Sequence, residues 1–341
     1  MRVFLVDKTV NQNVVYSQLI IPLKLLNDQN SILLLPKKMS QNINLANVKV
    51  LSYKNFFSKY GKILAISCME DVYTRSVIEL VYLYIIRMLF MKRWTITYDF
   101  RGLVYAEYGL RHKHLVRYYI LKYLELFASK KADHLRTVSW AFANFLKQEF
   151  ATNKTIRVIP CCIYKVNYIV KQERSKCLSF VFVGSLAGWQ KIDHILDVYR
   201  LIAMKINSKL TIITNEVTKA ECLLREKNIL AQVISLPQHE VEKELWKYDF
   251  GFLLRDNINV NNVASPIKFL EYVGNGVIPI ISEGIGDYSS LVKEKNIGVL
   301  ESNDIDSMIT KMLELRLRED IQEQLYNIAS EYTWNNYLKI F

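Results

Sequence analysis

Residues 261–282 read NNVASPIKFLEYVGNGVIPIIS, and this stretch decides the fold. Pro266 suits the first turn of a helix, Asn275–Gly276 suits its left-handed end, and the apolar run that follows is a buried strand. A loop, a short helix and a buried strand in that order belong to an open α/β sheet, whose ligands sit outside the carboxyl ends of the strands. The loop and the helix start therefore point at a binding crevice. Free backbone N–H groups and the partial positive charge of a helix N-terminus suit a diphosphate there. Lys268 and Glu271 stand three apart and share a helix face, a spacing that fits a surface ion pair equally well.

The same alternation of short apolar runs and helix-period segments extends in both directions. Before the stretch, strands are expected at Val3–Val6, Ile32–Leu35, Val48–Leu51, Ile63–Ser67, Trp94–Tyr98, Leu135–Val138 and Val158–Ile159, with helices near 13–27, 72–91, 112–131 and 140–149. A second series begins at Phe180–Val183 and continues through Leu210–Thr214, Val233–Leu236, Phe250–Leu254, Ile278–Ile281 and Gly298–Leu300. Tyr164 to Lys176 is polar and unpatterned and reads as a linker. The expectation is an α/β protein of two doubly wound, Rossmann-like domains facing a central cleft. The first spans 1–165, the second 166–325, and a C-terminal helix, 326–341, returns to the first.

Composition agrees with a globular chain. Of 341 residues, 51% are hydrophobic and 23% charged, which excludes disorder, and the 11 Gly and 6 Pro form no collagenous or linker-like tract. Five scattered cysteines without a CxxC pair indicate neither a disulfide framework nor a zinc knuckle. The N-terminus lacks a secretory pattern, and Val77–Met91, interrupted by Glu79 and Arg87, reads as a buried or interfacial helix rather than a span. A cytoplasmic protein is expected. The net charge of +12 is uneven: residues 1–170 hold 25 basic and 10 acidic residues, leaving 20 and 23 for the remainder. An anionic partner, nucleic acid or membrane, is expected for the first half. Within it, GLRHKHLVRYYILKYLELFASKK (109–131) has the basic, aromatic and aliphatic mixture of a membrane-surface helix.

Three segments carry a resemblance. The 261–282 stretch resembles the nucleotide-sugar motif of retaining GT-B glycosyltransferases, the bacterial family 4 or group 1 type, through Asn262, Ser265, Pro266, Lys268 and Glu271. The resemblance implies that Glu271 holds the ribose hydroxyls of a nucleotide. The second glutamate common in the wider families, eight positions earlier, is here Val263, so Asn262 or loop backbone would meet the donor sugar. FVFVGSLAGWQKID (180–193) resembles the family's first donor loop, with Gly184 allowing close approach and Ser185 and the following amides facing phosphate. In the direct register the family's phosphate-binding lysine falls on Gln190. Lys191 is the expected cation, with Lys268 in reserve. TYDFRGLVYAEYG (97–109) resembles the acceptor-domain segment, placing Asp99 and Arg101 at the acceptor beside Gly102 and Glu107. An Asp99–Arg101 pair that only stabilises the loop fits the same residues. Ala132–Ser139 resembles a strand ending in a cleft-facing serine. In place of a glycine-rich first loop stand Asp7 to Asn13, where Asn11 and Asn13 could supply polar contacts.

The resemblance implies a membrane-peripheral retaining hexosyltransferase on the inner face of the cell membrane. It would move a sugar from a nucleotide-diphosphate donor to a glycan or lipid-linked acceptor in bacterial surface polysaccharide synthesis. The nucleotide sugar is a co-substrate, no cofactor is implied, and without an Asp-x-Asp or HExxH pattern no metal is implied. A non-catalytic GT-B relative that binds a glycan or partner at a membrane is the alternative. Nucleic-acid binding lacks any recognised module.

Overall fold

Thirteen short strands, most of them apolar, build two all-parallel sheets in the computed structural model, which describes residues 1–8, 12–26, 28–40, 43, 45–166, 168 and 175–341. The first sheet contains β1 (Arg2–Leu5), β2 (Ser31–Pro36), β3 (Lys49–Tyr53), β4 (Asp71–Thr74), β5 (Thr95–Phe100), β6 (His134–Thr137) and β7 (Ile156–Val158), in the order β3-β2-β1-β4-β5-β6-β7. The second contains β8 (Leu178–Val183), β9 (Ser208–Ile213), β10 (Gln232–Ile234), β11 (Phe250–Leu253), β12 (Ile278–Ile281) and β13 (Val299–Leu300), in the order β10-β9-β8-β11-β12-β13. Strands covered by helices on both faces must be apolar throughout, and β2 is buried at every position. Each sheet reverses its winding once, between β1 and β4 and between β8 and β11. The carboxyl ends of those pairs are the topological switch points where doubly wound sheets bind ligands.

The chain divides into two compact units, Met1–Tyr164 with Trp334–Phe341, and Lys165–Thr333. Two expectations are corrected here. The return to the first unit begins at Trp334, not 326, because the Ile321–Glu331 helix packs in the second unit, where Tyr326 lies against Gly276. Trp334 is buried in the first unit, its indole N–H donating to Ser17 O at 3.0 Å, and Phe341 stacks on Phe4 with ring centroids 5.7 Å apart. Second, Ile63–Ser67 is not a strand. Asn55 caps a helix over Phe56–Ala65, its side chain accepting from Ser58 N, and the helical period carries the ILA run with it. DVYT, expected to open the helix near 72–91, forms β4 instead, beside β1, and the helix begins at Val77. The expected linker falls largely outside the described residues.

Right-handed crossovers put the Phe56–Ala65, Val77–Leu89, Leu115–Lys131 and Trp140–Glu149 helices on one face of the first sheet. On the other face, Val15, Leu19, Leu23, Trp334 and Phe341 close the core over β1 and β2.

Candidate functional site

At the switch point of the second sheet, the strand-ending loops bring two cations together. Gly184 follows β8 with φ +143°, a conformation that favours glycine, and a Cβ there would lie 2.0 Å from Lys268 Nζ. Lys268, in the Ile267–Val273 helix, donates to Gln190 Oε1 at 2.9 Å and sits 5.1 Å from the Phe182 ring centroid. Arg255 follows β11. Its Nη1 reaches Asn261 Oδ1 at 3.4 Å, while its buried Nε has no hydrogen-bond partner among the described residues. Burial pushes the Lys268 ammonium down to about 7, helped by the like charge of Arg255 and opposed by Glu271. Burial likewise lowers Arg255, to about 10. Two desolvated cations whose charges repel, one with an unused donor and the other offset by Glu271, concentrate positive charge at this edge of the sheet.

The neighbouring expectations divide. Gln190 accepts from Lys268 by its side-chain carbonyl, so the helix ammonium is held against the loop after β8. Lys191, the expected cation, has its half-exposed Nζ paired with Asp256 and precedes the Ile192–Ala203 helix in a left-handed conformation. Ser185 is exposed on the loop, but the Leu186 amide that was to face phosphate donates to Glu216 Oε1 at 2.7 Å. Glu271 is half-buried one helical turn after Lys268, on the same face. Pro266 is the residue before the helix, and Gly276 provides the left-handed turn at its end with φ +68°. Asn262 and Ser265, expected at the donor, make hydrogen bonds that support the loop. With its nitrogen facing the acceptors, Asn262 donates to Gly284 O at 2.6 Å and Ile258 O at 3.1 Å. The buried Ser265 hydroxyl bonds that of Tyr288 at 2.9 Å. Val263, at the position of the family's second glutamate, is buried.

In the first unit, Asp99 does not reach an open surface. Its carboxylate is fully buried, accepting from Arg101 Nε at 2.7 Å, Arg75 Nε at 3.2 Å and the Tyr73 hydroxyl. Burial alone would raise its carboxyl, but Arg101, Arg75 and Tyr73 hold it below the usual 3.8. Asp99 and Arg101 thus form the loop-stabilising pair that the sequence also allowed, anchoring the loop after β5. Arg101 also lies 3.9 Å from the Cys161 sulfur, and its Nη2 is buried without a partner among the described residues. Ser139 is a helix cap, its Oγ accepting from Phe142 N at 3.0 Å, rather than a cleft-facing hydroxyl. Asn11 and the side chain of Asn13 lie outside the described residues.

Sequence reasoning missed Arg255 and its support. Ser282 Oγ accepts from Arg255 N at 2.9 Å and donates to Glu301 Oε2 at 2.6 Å, and Glu301 Oε1 meets His194. The available signal was a charged residue directly after the apolar run FGFLL, at the carboxyl end of a buried strand. Among the described residues, no three His, Cys, Asp or Glu side chains group as metal ligands.

No protein-family model matches the chain, and no curated protein matches it by sequence. Solved structures do. Sucrose-phosphate synthase from Thermosynechococcus elongatus superposes with a TM-score of 0.76 at 13% identity, over 99% of this chain and 96% of that one. Anabaena HepE in complex with UDP gives 0.72 at 12% identity, covering 99% and 97%. The lipopolysaccharide outer core galactosyltransferase WaaB gives 0.69 at 16%, covering 100% and 99%. At such identities the likeness establishes architecture: the chain has the α/β GT-B fold.

Proposed function

We propose that this chain is a retaining hexosyltransferase that takes its sugar from a nucleotide-diphosphate donor and passes it to a glycan or lipid-linked acceptor. The observation that carries this reading is the Lys268–Arg255 pair beside Gly184, two largely desolvated cations at the switch point whose mutual repulsion only Glu271 offsets. A diphosphate there would supply the missing charge. Negative charge grows on that diphosphate as the glycosidic bond breaks, so a protonated Lys268 would stabilise the transition state more than the ground state. Glu271, on the same helix face, would accept from the ribose hydroxyls, and Gln190 would aim the ammonium. The second unit would take the donor and the first the acceptor. The basic first half, with the Leu115–Lys131 helix at its surface, would hold the protein to an anionic leaflet from the cytoplasmic side, as a step in surface polysaccharide synthesis suits.

Calorimetry with UDP tests the donor site, UDP being the nucleotide named in the HepE complex; a panel of other nucleoside diphosphates follows. Binding that is weakened roughly tenfold or more in Lys268→Met and in Glu271→Ala supports the reading; no binding of any nucleotide removes it. A second reading, a non-catalytic GT-B relative, is favoured by one feature: Val263 is buried and Asn262 is used within its own loop, so neither presents a polar group to a donor sugar. Nucleotide binding without transfer or hydrolysis of any nucleotide sugar would select it.

A further inference from the structure

We propose that the outer face of the Phe56–Ala65, Val77–Leu89 and Leu115–Lys131 helices docks on an anionic lipid bilayer and seats apolar side chains among its acyl chains. This rests on the membrane part of the reading above and not on the enzymatic part. It replaces purely electrostatic attachment by one helix with insertion from a three-helix face.

The three helices are neighbours on one side of the first sheet. Phe56 packs edge-on to Tyr82 at 5.0 Å between centroids, and Tyr84 to Phe127 at 5.3 Å, which joins the first helix to the second and the second to the third. Along Val77–Leu89, the side chains of Ile78, Tyr82, Ile85 and Leu89 recur at intervals of four, three and four, so they form one stripe, and all are exposed. The stripe should face a core, yet it faces outward. It runs on into Phe90 and Met91, the latter 88% exposed at the tip beyond the helix. Val116, Ile120 and Tyr123 form a parallel exposed stripe on the next helix, and Phe57, 83% exposed, extends the first. Single exposed apolar residues are ordinary, but contiguous stripes on adjacent helices mark an interaction surface.

Charge identifies the occupant. Residues 75–131 contain four carboxylates, of which Glu79, Asp99 and Glu125 are buried and Glu107 is half-buried. The exposed charges around the stripes are basic: Arg93, Lys113, Arg117, Lys122, Lys130 and Lys131. The exposed acid at the edge, Asp133 just past the third helix, is paired with Arg87, so an aliphatic centre, tyrosines and a mainly cationic rim complement a bilayer interface: lysine and arginine stems lie along apolar surface while their heads reach phosphates. Nucleic acid would satisfy the rim and leave the aliphatic stripes unused. Among the described residues no helix is long and apolar enough to cross a membrane, so contact is by one face.

The test is co-sedimentation of the full chain with mixed phosphatidylcholine–phosphatidylglycerol vesicles and with pure phosphatidylcholine vesicles, at low and high salt. The wild type should bind the mixed vesicles, and part of that binding should survive high salt. The variant Ile85→Ser/Leu89→Ser/Met91→Ser changes only exposed positions. It should lose the salt-resistant part and at least tenfold in affinity, while Lys113→Gln/Arg117→Gln/Lys122→Gln should lose the salt-sensitive part. Wild-type binding by the serine variant would overturn insertion and leave electrostatic attachment standing. No binding to either vesicle would overturn both, without touching the donor site, which UDP calorimetry tests. Concentration-dependent self-association abolished by the serine changes, with no vesicle binding, would overturn the proposal by making a second copy the occupant.

Discussion

Lys268→Met should make the second unit more stable and a worse nucleotide binder. Lowering an ammonium from 10.5 to about 7 corresponds, at 1.36 kcal/mol per tenfold, to about 4–5 kcal/mol of cost for keeping it folded at pH 7 or below. Contact with the Phe182 ring and the hydrogen bond to Gln190 return about 1–2 kcal/mol of that. Methionine keeps the length and apolar stem of the side chain, so about 2–4 kcal/mol of stabilisation is expected, or roughly 4–16 °C in Tm for a unit of this size. The sign with pH is fixed. The unfolded chain holds the Lys268 proton up to 10.5 and the folded chain only to about 7, so wild-type stability rises with pH between those values. The advantage of the methionine variant must shrink across the same window. In UDP the order reverses, because a lost charge-assisted hydrogen bond removes about 1.5–3 kcal/mol, roughly tenfold to 150-fold in Kd. Differential scanning fluorimetry with and without UDP, near pH 6.5 and pH 9.5, reads both effects. A variant that is destabilised without UDP and binds UDP as the wild type does would refute the account of Lys268 as a strained cation awaiting an anion.

Glu271→Ala should leave the fold intact and weaken UDP by about 1.5–3 kcal/mol in calorimetry; unchanged affinity would return Glu271 to a surface role. Lys191→Ala, which removes a half-exposed partner of Asp256, should change donor affinity by less than about 1 kcal/mol, and a larger loss would restore it as the phosphate cation. Asp99→Asn should destabilise the first unit by about 3–5 kcal/mol, because Arg75 and Arg101 lose their buried counter-charge, and a Tm equal to that of the wild type would contradict the anchoring role. Glu125 accepts from the Val104 and Tyr105 amides, and burial pushes its carboxyl up to about 8. The folded chain then keeps a proton that the unfolded chain has released, so first-unit stability should fall as pH rises from 4.5 to about 8, and Glu125→Gln should flatten that slope.

Much of this protein is legible in one dimension. Apolar runs ended by turn residues mark parallel strands wherever both faces are covered, which is why ten of the expected strands or more need no tertiary information to place. The miss at Ile63–Ser67 has a local cause: a β-branched, apolar run looks the same at the end of a helix as in a strand, and only the Asn55 cap and the packing of Tyr60 and Ile63 decide between them. DVYT was absorbed into the helix expected near 72–91 because four residues opening on a charge carry little pattern, although between β1 and β5 the strand is required.

The site shows the same division more sharply. Residue types near the chemistry follow from βα punctuation, since loops after buried strands must lie at the carboxyl edge: Gly184, Gln190, Lys268 and Glu271 were reachable that way. Roles were not, because a role depends on what a side chain finds across the fold. Lys191 finds Asp256, 65 residues on, and is neutralised; Asp99 finds Tyr73 and Arg75 and is consumed as an anchor. Lys268 finds a glutamine, an arginine and, one turn along its own helix, Glu271, and burial leaves its ammonium near 7. The sequence by itself determined two parallel, doubly wound sheets and the loops at their binding edges, because hydrophobic period and turn chemistry are local. Only the tertiary structure decided which cation is spent and which is available, because charge balance is settled by neighbours that chain order does not reveal.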